Sequence, residues 1–270
     1  MPDPTNPSSP PPFRVSGPTS HAPTHPKAPI YEMSVATSRQ VDKLATTQYG
    51  IPSIILMENA AIGLCHHALD MLKSARSQTI LIAAGPGNNA GDGFALARHL
   101  HNQGYRPTIA MTTPPESITG DAKINLDIIT KMNLPTIDAQ TYLESDPPQP
   151  GLIIDALFGT GLTRPIEGVA VALIARINTW KNVGSQILAV DVPSGLNAQT
   201  GEPTGEPIGD PSTGVIHADR TVTFAALKEG YRSIEAQPHL GEVVVAPIGV
   251  PTELLKSLGT RVHHPRDRVE

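Results

Sequence analysis

The sequence is poor in the features that mark several whole classes of protein. Of its 270 residues one is a cysteine, Cys65, so an internal disulfide is impossible and a reducing compartment, the cytoplasm, is expected. Aromatic residues make up 4%, the formal net charge is −5, and Lys and Arg form no block. Nucleic acid and anionic membrane surfaces are therefore not expected as partners. No apolar run reaches the roughly 18 residues of a membrane span. The first thirty residues hold ten of the 28 prolines, almost no aliphatic side chain and only Arg14 and Lys27 as basic groups. That stretch has neither the apolar centre of a secretory signal nor the basic content of a transit peptide. It buries too little apolar surface to offset the entropy of ordering, so residues 1–30 are expected to be a disordered tail.

Metal-ligand spacing is also missing. The ten histidines include the adjacent pairs His66-His67 and His263-His264, whose side chains diverge on a helix or strand. No Gly-x-Ser-x-Gly elbow occurs, and Ser194 has no neighbouring base, so serine hydrolysis is not expected.

What is present is a strand–turn–helix rhythm. Apolar positions from Val35 to Leu72 recur at helical spacing, with a break near Gly50-Ile51-Pro52, and predict two helices before any strand. Strand-length apolar runs follow at Thr79–Ala84, Pro107–Met111, Gly151–Ala156, Gln186–Val190, Thr221–Phe224 and Glu242–Ala246, and helix-length stretches at Asp92–Gln103, Ile118–Met132 and Val169–Lys181. The runs are continuous, as a sheet covered on both faces requires. The expected fold is a Rossmann-like three-layer α/β/α sandwich with a mainly parallel sheet, preceded by two N-terminal helices. Domain limits are expected at 31–256, with 257–270 a solvated C-terminal tail and the Gly- and Pro-rich stretch Gly201–Gly214 a surface loop.

Ligands of such a fold bind beyond the carboxyl ends of the strands, and four motifs stand there. Gly85-Pro86-Gly87-Asn88-Asn89-Ala90-Gly91-Asp92-Gly93 leads directly into a helix; its glycines admit a ligand close to the backbone and the helix N-terminus suits a phosphate. It lacks the third glycine of the dinucleotide fingerprint and the Lys-Ser/Thr of a P-loop. Asp155 ends the third run and precedes a second glycine-rich turn, Gly159-Thr160-Gly161, with Arg164 beyond. Asp191 ends the fourth run, in Asp191-Val192-Pro193-Ser194-Gly195-Leu196-Asn197, and Lys228 follows the fifth. A strand-end acid is costly to bury without a cation or partner. Amide, carboxylate and hydroxyl oxygens without thiolate or histidine suit a hard cation, and so few carboxylates suit a monovalent one.

These motifs, with Leu56-Met57-Glu58-Asn59-Ala60 and Phe224–Gly230, resemble the NAD(P)H-hydrate epimerase family, the YjeF N-terminal domain, from Ser34 to about Pro251. The resemblance implies a homodimer that interconverts the R and S forms of NADHX and NADPHX with one bound potassium ion. It assigns the hydrated cofactor to Asn88, Asn89, Ala90, Gly91 and Asp92, to Gly159, Thr160, Gly161, Leu162, Thr163, Arg164 and Pro165, and to Asp191. It assigns the cation to Asn89, Asp155 and Ser194. The family loop reads Asn-Asn-Gly-Gly-Asp-Gly, so Ala90 departs from it and is expected to strain the loop if position 90 needs positive φ. Relatives with a second, dehydratase domain imply that dehydration here falls to a separate protein. Asp191 is the expected acid–base residue, with Lys228 and the cation tuning the charge around it. The alternatives are an NAD-dependent oxidoreductase, against which stands Ala110-Met111-Thr112-Thr113 in place of a ribose-binding acid, and a non-catalytic binding or scaffold protein of the same fold.

Overall fold

The computed structural model describes residues 29–205 and 214–262. Residues 1–28, His263-His264 and the middle of the Gly201–Gly214 stretch lie outside it. Seven parallel strands form one sheet: β2 (Ile80–Ala84), β3 (Thr108–Met111), β4 (Thr136–Asp138), β5 (Leu152–Ala156), β6 (Gln186–Val190), β7 (Arg220–Phe224) and β9 (Glu242–Ala246), in spatial order β4-β3-β2-β5-β6-β7-β9. All six predicted runs are strands of this sheet. β4 is an addition at its edge; with three residues and two exposed side chains it has no apolar run to read.

Alternate side chains of each central strand face opposite layers. Ile80, Ile82 and Ala84 pack with α2 (Ser53–Leu72), α3 (Asn88–Asn102) and α4 (Gly120–Lys131), around Phe94, Leu100 and Ile129. Leu81 and Ala83 pack with α5 (Ala139–Glu144) and α6 (Val169–Asn182), around Ile174, Ile177 and Trp180. The sheet is thus buried on both faces, which is why its strands are apolar throughout.

Two expectations are corrected. A strand, β1 (Ile30–Met33), precedes α1 (Val35–Thr47), so the two N-terminal helices do not come first. β1 pairs parallel with β8 (Leu227–Lys228) and antiparallel with β10 (Thr260–Val262), in a separate three-stranded sheet. The expected limit at residue 256 therefore cuts the helix Thr252–Leu258, and residues 260–262 are a strand. Such pairings join residues some two hundred positions apart and leave no local periodicity. Among the described residues no helix is long and apolar enough to cross a membrane.

Candidate active site

The chain runs from β2 outward to β4, then returns to β5 on the other side of β2, so the loops after β2 and β5 diverge into a crevice. At its base they touch: a Cβ on Gly85 would stand 1.9 Å from the carbonyl oxygen of Leu157. Helix α3 starts at Asn88, and its first backbone bonds run from Ala90 and Gly91 to Gly87 O. The N–H groups of Asn88 and Asn89 thus have no intrahelical acceptor and point toward an incoming anion. A cavity of about 550 Å³ opens there, walled by Gly87, Asn88, Asn89 and Asp92 on one side and Gly159, Thr160, Gly161, Leu162, Thr163 and Arg164 on the other. Ala90, Gly91 and Pro165 do not line it. Ala90 is helical, without positive φ, and fully buried in the core, so the strain expected there is absent. Gly91 faces Met57 and Ala122 instead.

Beneath this cavity Asp155, fully buried, accepts three bonds: from Ser194 Oγ at 2.6 Å, from Ser194 N at 2.7 Å and from Leu157 N at 3.3 Å. Burial pushes its carboxyl up to about 6, against the pull of those bonds. Ser194 Oγ also lies 3.2 Å from Phe158 O. The side chain of Asn89 reaches the same place, its Oδ1 lying 3.0 Å from where a Gly159 Cβ would be, and its buried Nδ2 finds no partner among the described residues. A carboxylate, a hydroxyl, a carbonyl and an unsatisfied amide converge here. This is an oxygen-rich set of low charge that fits a hard monovalent cation. Among the described residues no three His, Cys, Asp or Glu side chains group as a metal site.

Beside it β6 and β7 end alike. Asp191 and Ala225 both have φ of 61°, and each is bridged by a bond between its neighbours, Val192 N to Val190 O and Ala226 N to Phe224 O, both 2.7 Å. These are the rare, strained γ form of turn, of the kind found where structure over-determines a functional group. Lys228 clamps both: its ammonium donates to Phe224 O at 3.2 Å and Ala226 O at 3.3 Å and pairs with Asp191 Oδ1 at 3.0 Å. All three protons are engaged, so Lys228 serves the acid and not a substrate phosphate. Asp191 Oδ1 also accepts from Thr223 Oγ1 at 2.9 Å, and the Tyr231 hydroxyl donates to the Asp191 carbonyl. Burial, and Asp191 after it, hold the Tyr231 phenol far above its usual range, so it stays a donor.

A second cavity of about 200 Å³ adjoins the first, lined by Met33, Met57, Asp121 and Lys228. Arg39, Asp42, Asn88, Asp92, Thr160 and Asp191 line both. Arg39 and Asp42, on α1, are site residues that the sequence reading missed. Arg39 Nη2 donates to Thr160 O at 3.1 Å across the cleft, and desolvation within the cleft pushes the Asp42 carboxyl up to about 6. Charged positions on an amphipathic helix read as its solvated face, so no signal distinguished them. The Leu56–Ala60 motif serves both site and scaffold: Leu56, Met57 and Ala60 line the second cavity, while Glu58 pairs with Arg98 and, at 3.0 Å, with His99, and Asn59 donates to Ile248 O at 2.9 Å. It docks α2 on α3 and on the segment after β9.

A family model, the YjeF-related protein N-terminus, matches residues 53–230, a span holding all four strand-end motifs. The chain belongs to the YjeF N-terminal family. Among the family's curated members, a protein of Rhodopirellula baltica named NAD(P)H-hydrate epimerase is 35% identical over 83% of this chain and 86% of its own length. The bifunctional NAD(P)H-hydrate repair enzyme Nnr of Moorella thermoacetica is 36% identical over 84% of this chain, which spans 42% of that relative's length. The crystal structure of the yeast protein ynu0 superposes with a TM-score of 0.68 at 22% identity, covering 87% of this chain and 96% of that one. It shares the family's fold.

Proposed function

We propose that this chain is an isomerase that interconverts the R and S epimers of hydrated NADH and NADPH, in repair of the nicotinamide nucleotides. One observation carries the reading. Asp191 stands at the junction of two cavities, one faced by an open helix N-terminus suited to phosphates and the other a smaller recess, walled largely by apolar side chains such as Met33, Leu56 and Met57, suited to a ring. Together they lie within the roughly 300–1,000 Å³ of small-molecule sites. The names of the stand-alone relatives supply the substrate. An NAD-dependent oxidoreductase is not supported, since β3 ends at Met111 and Thr112-Thr113 follow it, with no acid for a ribose.

The substrate bears a hydroxyl on C6, next to the ring nitrogen, and inversion requires that carbon to become planar and be hydrated again. Asp191 acts as an acid–base group at that carbon, held in place by Lys228, Thr223 and Tyr231. Lys228 is a positioning residue. A potassium ion fits Asn89, Asp155 and Ser194, and when bound would supply fixed positive charge below the phosphate loop. The bifunctional relatives support functional pairing with a dehydratase. Two exposed isoleucines on α2, Ile55 and Ile62, favour a homodimer, and the single buried cysteine supports a cytoplasmic location.

The test is a chromatographic time course on purified R and S hydrates, in potassium and in choline buffers. The wild-type chain accelerates their interconversion, and Asp191→Asn lowers kcat roughly 10²-fold or more, the usual worth of a general acid–base. A wild-type chain that leaves the uncatalysed rate unchanged would refute the proposal.

A further inference from the structure

Resting on that reading, we propose that Asp92 is a second catalytic residue, the proton donor that lets the C6 hydroxyl leave as water while Asp191 serves the opposite face of the ring. Inversion by loss and return of water needs an acid on one face of the carbon and a base on the other, and one side chain cannot stand on both. Asp92 comes from α3 and Asp191 from the turn after β6, two different walls of the cleft, and both line both cavities.

Asp92 is 8% exposed and makes no hydrogen bond or ion pair with any described residue. A buried carboxyl without partners has no structural duty, and in its ionised form it is costly. Burial first, then the carboxylates of Asp191 and Asp42, hold it well above the ordinary carboxylate range. Of the cations lining these cavities, Lys228 binds Asp191, Arg39 reaches Thr160 O, and Arg164 on the far wall of the larger cavity forms no ion pair with Asp92, while Asp121 adds a further acidic group. Asp92 is the fifth residue of α3, beyond the first turn, where the helix dipole fades. Two neighbouring carboxyls, one biased by burial toward its protonated form and one ion-paired, are the arrangement that separates acid from base.

The step balances. Asp92 gives its proton to the C6 hydroxyl; the C6–O bond breaks and its electron pair leaves with water. The ring-nitrogen lone pair forms the N1–C6 double bond. A water on the Asp191 face then adds to C6 and passes a proton to Asp191. Exchange with solvent returns Asp191 to carboxylate and Asp92 to acid, and the reverse epimerisation exchanges the two roles.

The experiment pairs Asp92→Asn with an isotope measurement on the wild-type chain. Each wild-type inversion in ¹⁸O-water is expected to place one solvent oxygen at C6, and Asp92→Asn to lower kcat by roughly 10²–10³-fold with KM changed less than threefold. Asp92→Asn within threefold of an active wild type overturns the inference and leaves the epimerase reading standing. Inversion with the original oxygen retained overturns it too, and needs no variant to fold. An inactive wild type overturns both.

Discussion

Gly85 and Gly87 lie two residues apart in one glycine-rich turn, yet the structure assigns them opposite tolerance to a methyl group. A Cβ at Gly85 meets Leu157 O at 1.9 Å, Leu157 C at 2.7 Å and Leu157 Cα at 3.1 Å. All three are backbone atoms, so no rotamer change can relieve the overlap. The loops after β2 and β5 must part by more than an ångström, and the 3.1 Å bond from Gly85 N to Ala156 O goes with them. Overpacking of about 1–3 kcal/mol and a lost bond of about 0.5–1.5 kcal/mol give Gly85→Ala a cost of about 2–4 kcal/mol. For a chain of this size that is a fall in Tm of about 5–15 °C. At Gly87, φ is −111° and nothing lies within 4 Å of the added carbon. Gly87→Ala should stay within about 0.5 kcal/mol of wild type or gain slightly from a stiffer unfolded chain. Thermal unfolding followed by circular dichroism reads both. If Gly85→Ala melts within a degree or two of wild type, or Gly87→Ala falls as far as Gly85→Ala, the contact between the two loops is not as described.

Two further outcomes follow from the same site. Ala90→Gly should destabilise the chain by about 1 kcal/mol, because position 90 is helical and buried; a rise in Tm would show that the alanine is strained. Asp155 has its carboxyl raised from 3.8 to about 6, so the folded chain holds that proton more tightly than the unfolded one. Its contribution is complete below about pH 4 and is lost as pH rises through 6, an effect on the order of 3 kcal/mol. In choline buffer Tm should therefore fall between pH 4 and 7. Potassium should offset the fall by favouring the ionised form, and Asp155→Asn should flatten it; equal slopes with and without potassium would count against a cation at Asp155.

How much could be read before folding differs from one motif to the next. The glycine loop and the strand-end acids Asp155 and Asp191 were legible because strand, turn and helix each announce themselves locally. The α3 boundary was set four residues late because Asn88–Gly91 look like loop residues, and only packing against Met57 and Ala122 winds them into the helix. Lys228 was legible as a site residue but not in its task, which depends on the carbonyls of Phe224 and Ala226 and on Asp191 arriving within reach of one ammonium.

By itself the sequence determined the parallel sheet, since strands covered on both faces must be apolar throughout, and it placed the polar motifs at the strand ends. Tertiary structure alone decided that Arg39 and Asp42 join the site, that β1 ties the N-terminal segment to Lys228 and to β10, and that Asp92 is left buried without a partner. Each of these depends on contacts between residues far apart in the chain. Local sequence periodicity carries no record of such contacts.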